Sequence, residues 1–294
     1  MDRSAQHVPL VVNRIAGLGH AGGAESQIVR CLASLHCDVR VVPTTSGPQA
    51  AEVCARLREE CDRILLAGGD GTVNSVLPAL AGSGVALGLL PVGMANVLAR
   101  ELGIPLSIEG MCRVAAGGNV RSIDLGCANG RPFALMAGIG FDAQVIHALN
   151  PRLKRFLGPT AYVMTALRLA PRSVAARVEV TYEGGRRELD LWLAVVANAS
   201  TYTYRWKAVP GADLADGLLD LCAFRCCGPM KTFGQVVAGV RGRHAQHPEV
   251  LLMRAASFTL TATPPLPVQV DGDAAGATPV TVTTLPGALR ILVP

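Results

Sequence analysis

Arg63-Ile64-Leu65-Leu66-Ala67-Gly68-Gly69-Asp70-Gly71-Thr72 decides the fold. Four apolar residues in a row, without alternation, predict a strand (63–67) buried on both faces, as parallel sheets require. Glycines then crowd three of the next four positions, and an apolar helix is predicted to follow over 73–80. Glycine lets the backbone approach a polyphosphate closely. Successive backbone N–H groups and the start of a helix make an anion site there. An aspartate in such a loop calls for a cation or a nucleotide hydroxyl between it and the phosphates. The alternative is a tight strand-to-helix turn with no ligand. No G-x-x-x-x-G-K-[ST] occurs, since Lys154, Lys207 and Lys231 lack that context, and Ile15–Gly19 lacks the third glycine of a dinucleotide fingerprint.

The same alternation continues outward from this loop. Strands are predicted at 8–12, 38–42 and 85–90, and helices at 24–35, 49–60 and 95–102. The first of those helices carries Ile28, Val29, Leu32 and Leu35 on one stripe. Alternating strands and helices imply a parallel, Rossmann-like α/β sheet. After Asp124 strands dominate, at 133–137, 176–182, 189–197, 218–224, 257–262, 268–270 and 280–283. Gly184-Gly185 marks a hairpin, and one helix (159–169) interrupts the series. This pattern predicts an α/β nucleotide-binding domain over 1–124, joined by a returning strand within 285–294, and a mostly β, sandwich-like domain over 125–284.

Composition limits the function classes. Half of the 294 residues are hydrophobic and 17% are charged, enough for a sizeable core and too apolar for disorder. The net charge is +5, and only three of the 27 basic side chains are lysines. That excess suits phosphates or acidic lipid headgroups but is too diffuse for a nucleic-acid protein. Nine cysteines without a C-x-x-C pair predict reduced thiols in a cytoplasmic protein. Asp2, Arg3 and His7 argue against a signal peptide. The uncharged stretch 71–99 is punctuated by glycine, proline and asparagine, so it reads as part of a soluble domain and not a membrane span.

Taken together, these segments resemble the diacylglycerol kinase-type lipid kinases of bacteria, related to sphingosine kinases. Gly68–Thr72 is similar to the GGDGT signature that this family shares with NAD kinases and phosphofructokinases. Leu89-Leu90-Pro91-Val92-Gly93-Met94-Ala95-Asn96 resembles the family's LPLGTAN segment, and Glu101–Pro105 continues it. Ile123–Gly126, Ala137–Ala143, Asp213–Asp220 and Val270–Asp273 resemble its D-L-G, G-I-G-F-D-A, D-G-L-L-D and V-D-G-E elements.

The resemblance implies catalysis in a cleft between two domains, with ATP and Mg2+ as cofactors. It places ATP on Gly68, Gly69, Asp70, Gly71 and Thr72, with Asn13, Thr44 or Thr45, Asn74, Gly93, Met94 and Asn96 nearby. It implies a structural magnesium on the Asp216 carboxylate and the carbonyls of Asp213 and Leu218, the oxygen ligation that a hard cation prefers. Phosphoryl transfer needs positioning, charge neutralisation and a base. Asp271 and Asp273, two residues apart on an expected β-run, could aim both carboxylates at one face, one of them as base. Asp124 is a candidate third carboxylate. Four departures mark a divergent member: Arg14 stands for the usual Pro, Ser75 for Glu, Met94 for Thr, and Asp273 for Glu.

Arg152, Lys154, Arg155, Arg168, Arg172 and Arg177 surround the apolar helix 159–169. This segment either meets anionic lipid or is a core helix with solvated basic flanks. The expected partner is a diacylglycerol-like or sphingoid-like lipid at the inner face of the membrane, with peripheral contact and no nucleic acid. Two alternatives stay open: a soluble-substrate kinase of the NAD kinase type, or a catalytically weak lipid- or nucleotide-binding protein. The lipid species and the oligomeric state are not legible in the sequence.

Overall fold

The structure is a computed structural model that describes residues 7–149, 159–170, 175–203, 206–225, 235, 238 and 242–294. The chain divides into two compact units. One runs to Asp124 and includes Pro286–Pro294; the other is Leu125–Leu285.

Unit 1 is a parallel sheet of β1 (Val8–Asn13), β2 (Val39–Thr44), β3 (Arg63–Gly68) and β4 (Ala86–Pro91), in the order β4-β3-β1-β2. The apolar runs explain it: Leu10–Val12, Ile64–Ala67 and Leu89–Leu90 are all buried. Each fully buried leucine or valine contributes about 1.5–3 kcal/mol. The connecting helices are α1 (His20–Ser34), α2 (Gly47–Leu57), α3 (Asp70–Leu80), α4 (Val97–Glu101) and α5 (Ile108–Gly117). Ser46 caps α2 by accepting the Gln49 N–H.

Two differences from the sequence reading have local causes. The helix expected over 95–102 shrinks to five residues because Asn96 is left-handed (φ 49, ψ 51), which no helix interior accommodates. The helix α5 was not anticipated. Ser107 caps it through the Gly110 N–H, and Met111, Cys112, Val114 and Ala115 are buried along it.

Unit 2 is antiparallel. It begins with β5 (Asn119–Ala128, whose last residues lie here), β6 (Arg131–Phe133), β7 (Met136–Gly140) and the helix α6 (Phe141–Ala148). The helix Pro159–Leu169 precedes β8 (Ala176–Tyr182) and β9 (Gly185–Ala197). Then come β10 (Thr201–Thr203), β11 (Trp206–Lys207), β12 (Leu219–Arg225), β13 (Val250–Ala255), β14 (Ser257–Thr263), β15 (Pro267–Val270) and β16 (Asp273–Ala277). The long strand β9 serves two groups of strands. Gly185–Leu191 pairs with β8, whereas Leu193–Ala197 lies between β7 and β12. Phe133, Val178, Leu191, Phe258, Leu260 and Val268 are among the residues packed in the resulting β-sandwich-like core.

The final strand, β17 (Val280–Val293), is continuous where two strands were expected. Val280–Thr283 pairs with β14 in unit 2, and Arg290–Ile291 pairs in parallel with β4 in unit 1. Among the described residues no helix is long and apolar enough to cross a membrane.

Candidate active site

In unit 1, β3 delivers Gly68-Gly69 to the start of α3. Gly69 is the N-cap, in extended conformation, and no side chain caps the helix. The positive end of the helix dipole is therefore left without a side-chain acceptor. Gly71 is exposed, and a Cβ built on it would meet nothing within 4 Å. A helical glycine costs about 1 kcal/mol relative to alanine. The protein's own packing supplies no reason for that cost. Gly69 and Gly93 are different. A Cβ on Gly93 would sit 2.5 Å from the Gly69 Cα, so the two loops touch backbone to backbone. Asn13, 5% exposed at the end of β1, donates from Nδ2 to Thr72 Oγ1 at 2.9 Å. Its Oδ1 is buried beside this loop without a hydrogen-bond partner. Leaving such an acceptor unpaired costs about 1–3 kcal/mol.

Asp70 does not turn outward from the loop. Its Oδ1 accepts the Val97 N–H at 2.6 Å, holding the first turn of α4. Burial pushes the Asp70 carboxyl above its usual range, and amides of Asn96–Leu98 pull it back down. Asn96 likewise serves its own loop, accepting the Gly93 N–H and donating to the Gly93 carbonyl, both at 2.9 Å.

The remaining unit 1 candidates differ in access. Thr44 is fully buried and donates to the Val12 carbonyl at 3.2 Å, so its hydroxyl is not presented to a ligand. Thr45 is exposed and bonds the Gln49 side chain. Asn74 is buried inside α3. Met94 is 45% exposed at the tip of the second loop, and Ser75 donates back to the Gly71 carbonyl at 2.8 Å. Arg14 forms a two-pronged pair with Glu25 (2.8 and 2.9 Å), and its guanidinium holds the Glu25 carboxyl below the usual range. Asp124 is buried and accepts the Gly287 N–H at 2.7 Å.

In unit 2, Asp271 and Asp273 do not share a face. Val270 pairs with Asp273 across β15 and β16, so Asp271-Gly272 is a two-residue hairpin turn with φ of 46° and 86°. The period-two argument fails because strand alternation stops at such a turn. Asp271 instead accepts the N–H groups of Ala134, Leu135 and Met136 at 2.8, 3.1 and 2.8 Å. Three amides stabilise a carboxylate and occupy most of its acceptor sites. Asp273 is exposed and pairs with Arg131 at 2.9 Å. Arg131 was missed in the sequence, because 142 positions separate the partners.

Of the expected magnesium ligands, the Asp216 carboxylate is engaged by other groups. Asp213 accepts the Ala215 N–H and Asp216 Oδ1 the Leu218 N–H, each at 3.0 Å, while Asp216 Oδ2 meets Arg254. The Arg254 Nε also lies 3.6 Å from Asp220, whose carboxyl burial pushes up and Arg254 pulls down. These contacts use the Asp213 and Asp216 side chains and the Leu218 N–H, whereas the magnesium expectation calls on the carbonyls of Asp213 and Leu218; the Arg254 guanidinium competes with a cation for the Asp216 carboxylate. Among the described residues no group of three or more His, Cys, Asp or Glu side chains is arranged to hold a metal ion.

Each unit resembles a known family. Residues 7–128 match the diacylglycerol kinase catalytic domain. Residues 136–293, more than half of the chain, match the YegS C-terminal NAD kinase beta sandwich-like domain. The chain is 28% identical to an uncharacterized protein of Synechocystis, covering 97% of this chain and 70% of that one. It is 27% identical to a diacylglycerol kinase of Staphylococcus carnosus, covering 85% and 82%. A crystal structure of a diacylglycerol kinase from Bacillus anthracis superposes over 100% of this chain and 99% of its own, with a TM-score of 0.82 and 25% identity. The chain belongs to the diacylglycerol kinase-type lipid kinase family.

Proposed function

We propose that the protein is an ATP-dependent lipid kinase that moves the γ-phosphate of ATP to a hydroxyl of a diacylglycerol-like or sphingoid-like lipid. The observation that carries this reading is Gly71. It is a helical glycine with open space where a side chain would stand, beside an uncapped helix start and the unpaired Asn13 Oδ1. A phosphate at the helix start uses the space that a side chain would take. A ribose hydroxyl, or a water held by the nucleotide's own cation, supplies the donor that Asn13 lacks. Gly68, Gly69 and Thr72 complete the loop, and Asp70, Gly93 and Asn96 hold it in shape. Thr45, Met94 and Asn74 flank it.

Unit 2 supplies the base. Asp271 has its lone pairs engaged by three amides, so Asp273 is the general base and Asp271 shapes the turn that carries it. Asp124 fixes the last strand through Gly287. No step is assigned to Asp213, Asp216 and Leu218.

The lipid side rests on the helix Pro159–Leu169. Met164 is 48% and Leu167 70% exposed, three residues apart on one face, with Arg168 in the last turn. An apolar face with a basic neighbour suits peripheral contact with anionic lipid at the cytoplasmic face of the membrane. Arg152, Lys154, Arg155 and Arg172 lie outside the described residues. Arg177 lies 3.6 Å from Asp190. A second reading, a catalytically weak binder, draws on Met94, whose thioether cannot donate to phosphate, and on Arg131, which holds Asp273.

Incubation with γ-labelled ATP and micellar diacylglycerol, sphingosine or soluble NAD separates these readings. Labelled lipid supports the lipid kinase. Labelled NAD, or ATP binding without transfer, overturns it.

A further inference from the structure

Gln269 is 3% exposed, on β15 between β7 and β16, and both ends of its amide are engaged. Nε2 donates to Asp142 Oδ2 at 2.7 Å, and Oε1 accepts the Gly272 N–H at 2.7 Å. A buried carboxylate on α6 is thereby joined, through one side chain, to the hairpin turn that leads into Asp273. Gly138 bears this out independently. A Cβ there would lie 2.0 Å from Asp142 Oδ2 and 2.6 Å from Gln269 Nε2, so the glycine of β7 keeps the room that this contact needs. The turn is thus held from two sides. Asp271 anchors it to the amides of Ala134–Met136, and Gln269 anchors its second residue.

We propose that Asp142 and Gln269 are positioning residues for phosphoryl transfer, setting where the Asp271-Gly272 turn places Asp273. This rests on the reading of Asp273 as the base. A glutamine suits the post because it is both donor and acceptor, satisfying an anion at one end and an amide at the other. The partner at Gly272 also matters for reach. Asp273 is one methylene shorter than the glutamate the family pattern carries, so its backbone must be held where the shorter side chain still arrives. Misplacing a reacting group by about 1 Å can cost on the order of 100-fold in rate.

Transfer of label from ATP to micellar diacylglycerol is measured for wild type, Asp273→Asn, Gln269→Met, Asp142→Asn, Gln269→Glu and the double variant Asp142→Asn/Gln269→Glu. Protection of the Gly272 amide from hydrogen exchange is followed in parallel. The expected result is loss of transfer in Asp273→Asn. Gln269→Met should lose about 10- to 100-fold in kcat with KM for ATP unchanged, and Asp142→Asn, which keeps an oxygen to accept from Nε2, should lose less. Gln269→Glu sets two carboxylates against each other and should fall further. The double variant, which restores donor, acceptor and net charge, should recover most of kcat. The Gly272 amide should exchange faster in Gln269→Met, which reads the contact whether or not this lipid is the substrate. Full activity in Asp273→Asn overturns the reading of the base. Loss there, with wild-type kcat or unchanged Gly272 protection in Gln269→Met, overturns the positioning role.

Discussion

Asp70 and Val97 are 27 positions apart, yet the Asp70 carboxylate takes the Val97 N–H at 2.6 Å. The acidic residue of the glycine loop therefore fastens the start of the second loop's helix. Asp70→Ala should leave a buried amide unpaired and cost about 1–3 kcal/mol in urea unfolding, whereas Asp70→Asn should keep an acceptor. Burial raises the folded pKa of Asp70 above its ordinary value of 3.8. A raised carboxyl favours the folded state below that value, and the contribution is lost as pH rises through the folded pKa. The stability of wild type minus that of Asp70→Asn should accordingly fall as pH climbs from 3.8 through the acid range. A rising difference contradicts the assignment.

Asp271 is expected to behave as a structural acid. With three amides on its carboxylate, Asp271→Ala should cost on the order of 3 kcal/mol. Asp271→Ala at wild-type stability, by urea midpoint at constant slope, would remove the reason for giving the base to Asp273.

Arg254 occupies the position expected of a cation. Wild-type melting temperature should be insensitive to millimolar Mg2+. Arg254→Met, which leaves Asp216 and Asp220 without their guanidinium, should melt lower and regain part of the loss on adding Mg2+. A wild-type protein that is strongly stabilised by Mg2+ in the absence of nucleotide shows instead that the cation takes Asp216 from Arg254.

The exposed face of the helix Pro159–Leu169 gives a membrane prediction. Met164→Glu/Leu167→Glu should reduce co-sedimentation with anionic vesicles at least about tenfold, a penalty of about 1.4 kcal/mol, while label transfer to a short-chain soluble lipid persists. Unchanged sedimentation rules the face out.

Much of unit 1 was legible because its strands are unbroken apolar runs and its glycines are consecutive. Ser107 and the stripe Met111, Cys112, Val114 and Ala115 were also visible, so the helix they form could have been read from capping and period alone. The single strand Val280–Val293 looks like two in the sequence because Pro286-Gly287 resembles a break; in the structure that pair falls between the ladder to β14 at Val280–Thr283 and the ladder to β4 at Arg290–Ile291. The site was less legible than the fold. Gly68–Thr72 announces a phosphate loop locally, but what Asp70, Asp271, Asp216 and Gln269 hold is decided by partners 27 to 137 positions away. No local pattern carries that information. Asp271 also shows how a spacing rule misleads, since alternation holds along a strand and lapses at a left-handed turn.

Gly71→Ala tests the central claim most directly, because folding and binding should respond in opposite directions. With no atom within 4 Å of the added Cβ, the variant should be as stable as wild type or up to about 1 kcal/mol more stable. ATP affinity by titration calorimetry should fall at least about tenfold, and label transfer to diacylglycerol should fall with it. Gly93→Ala, crowded against Gly69, should instead lose stability. Wild-type ATP affinity in a well-folded Gly71→Ala protein contradicts the placement of phosphate on this loop.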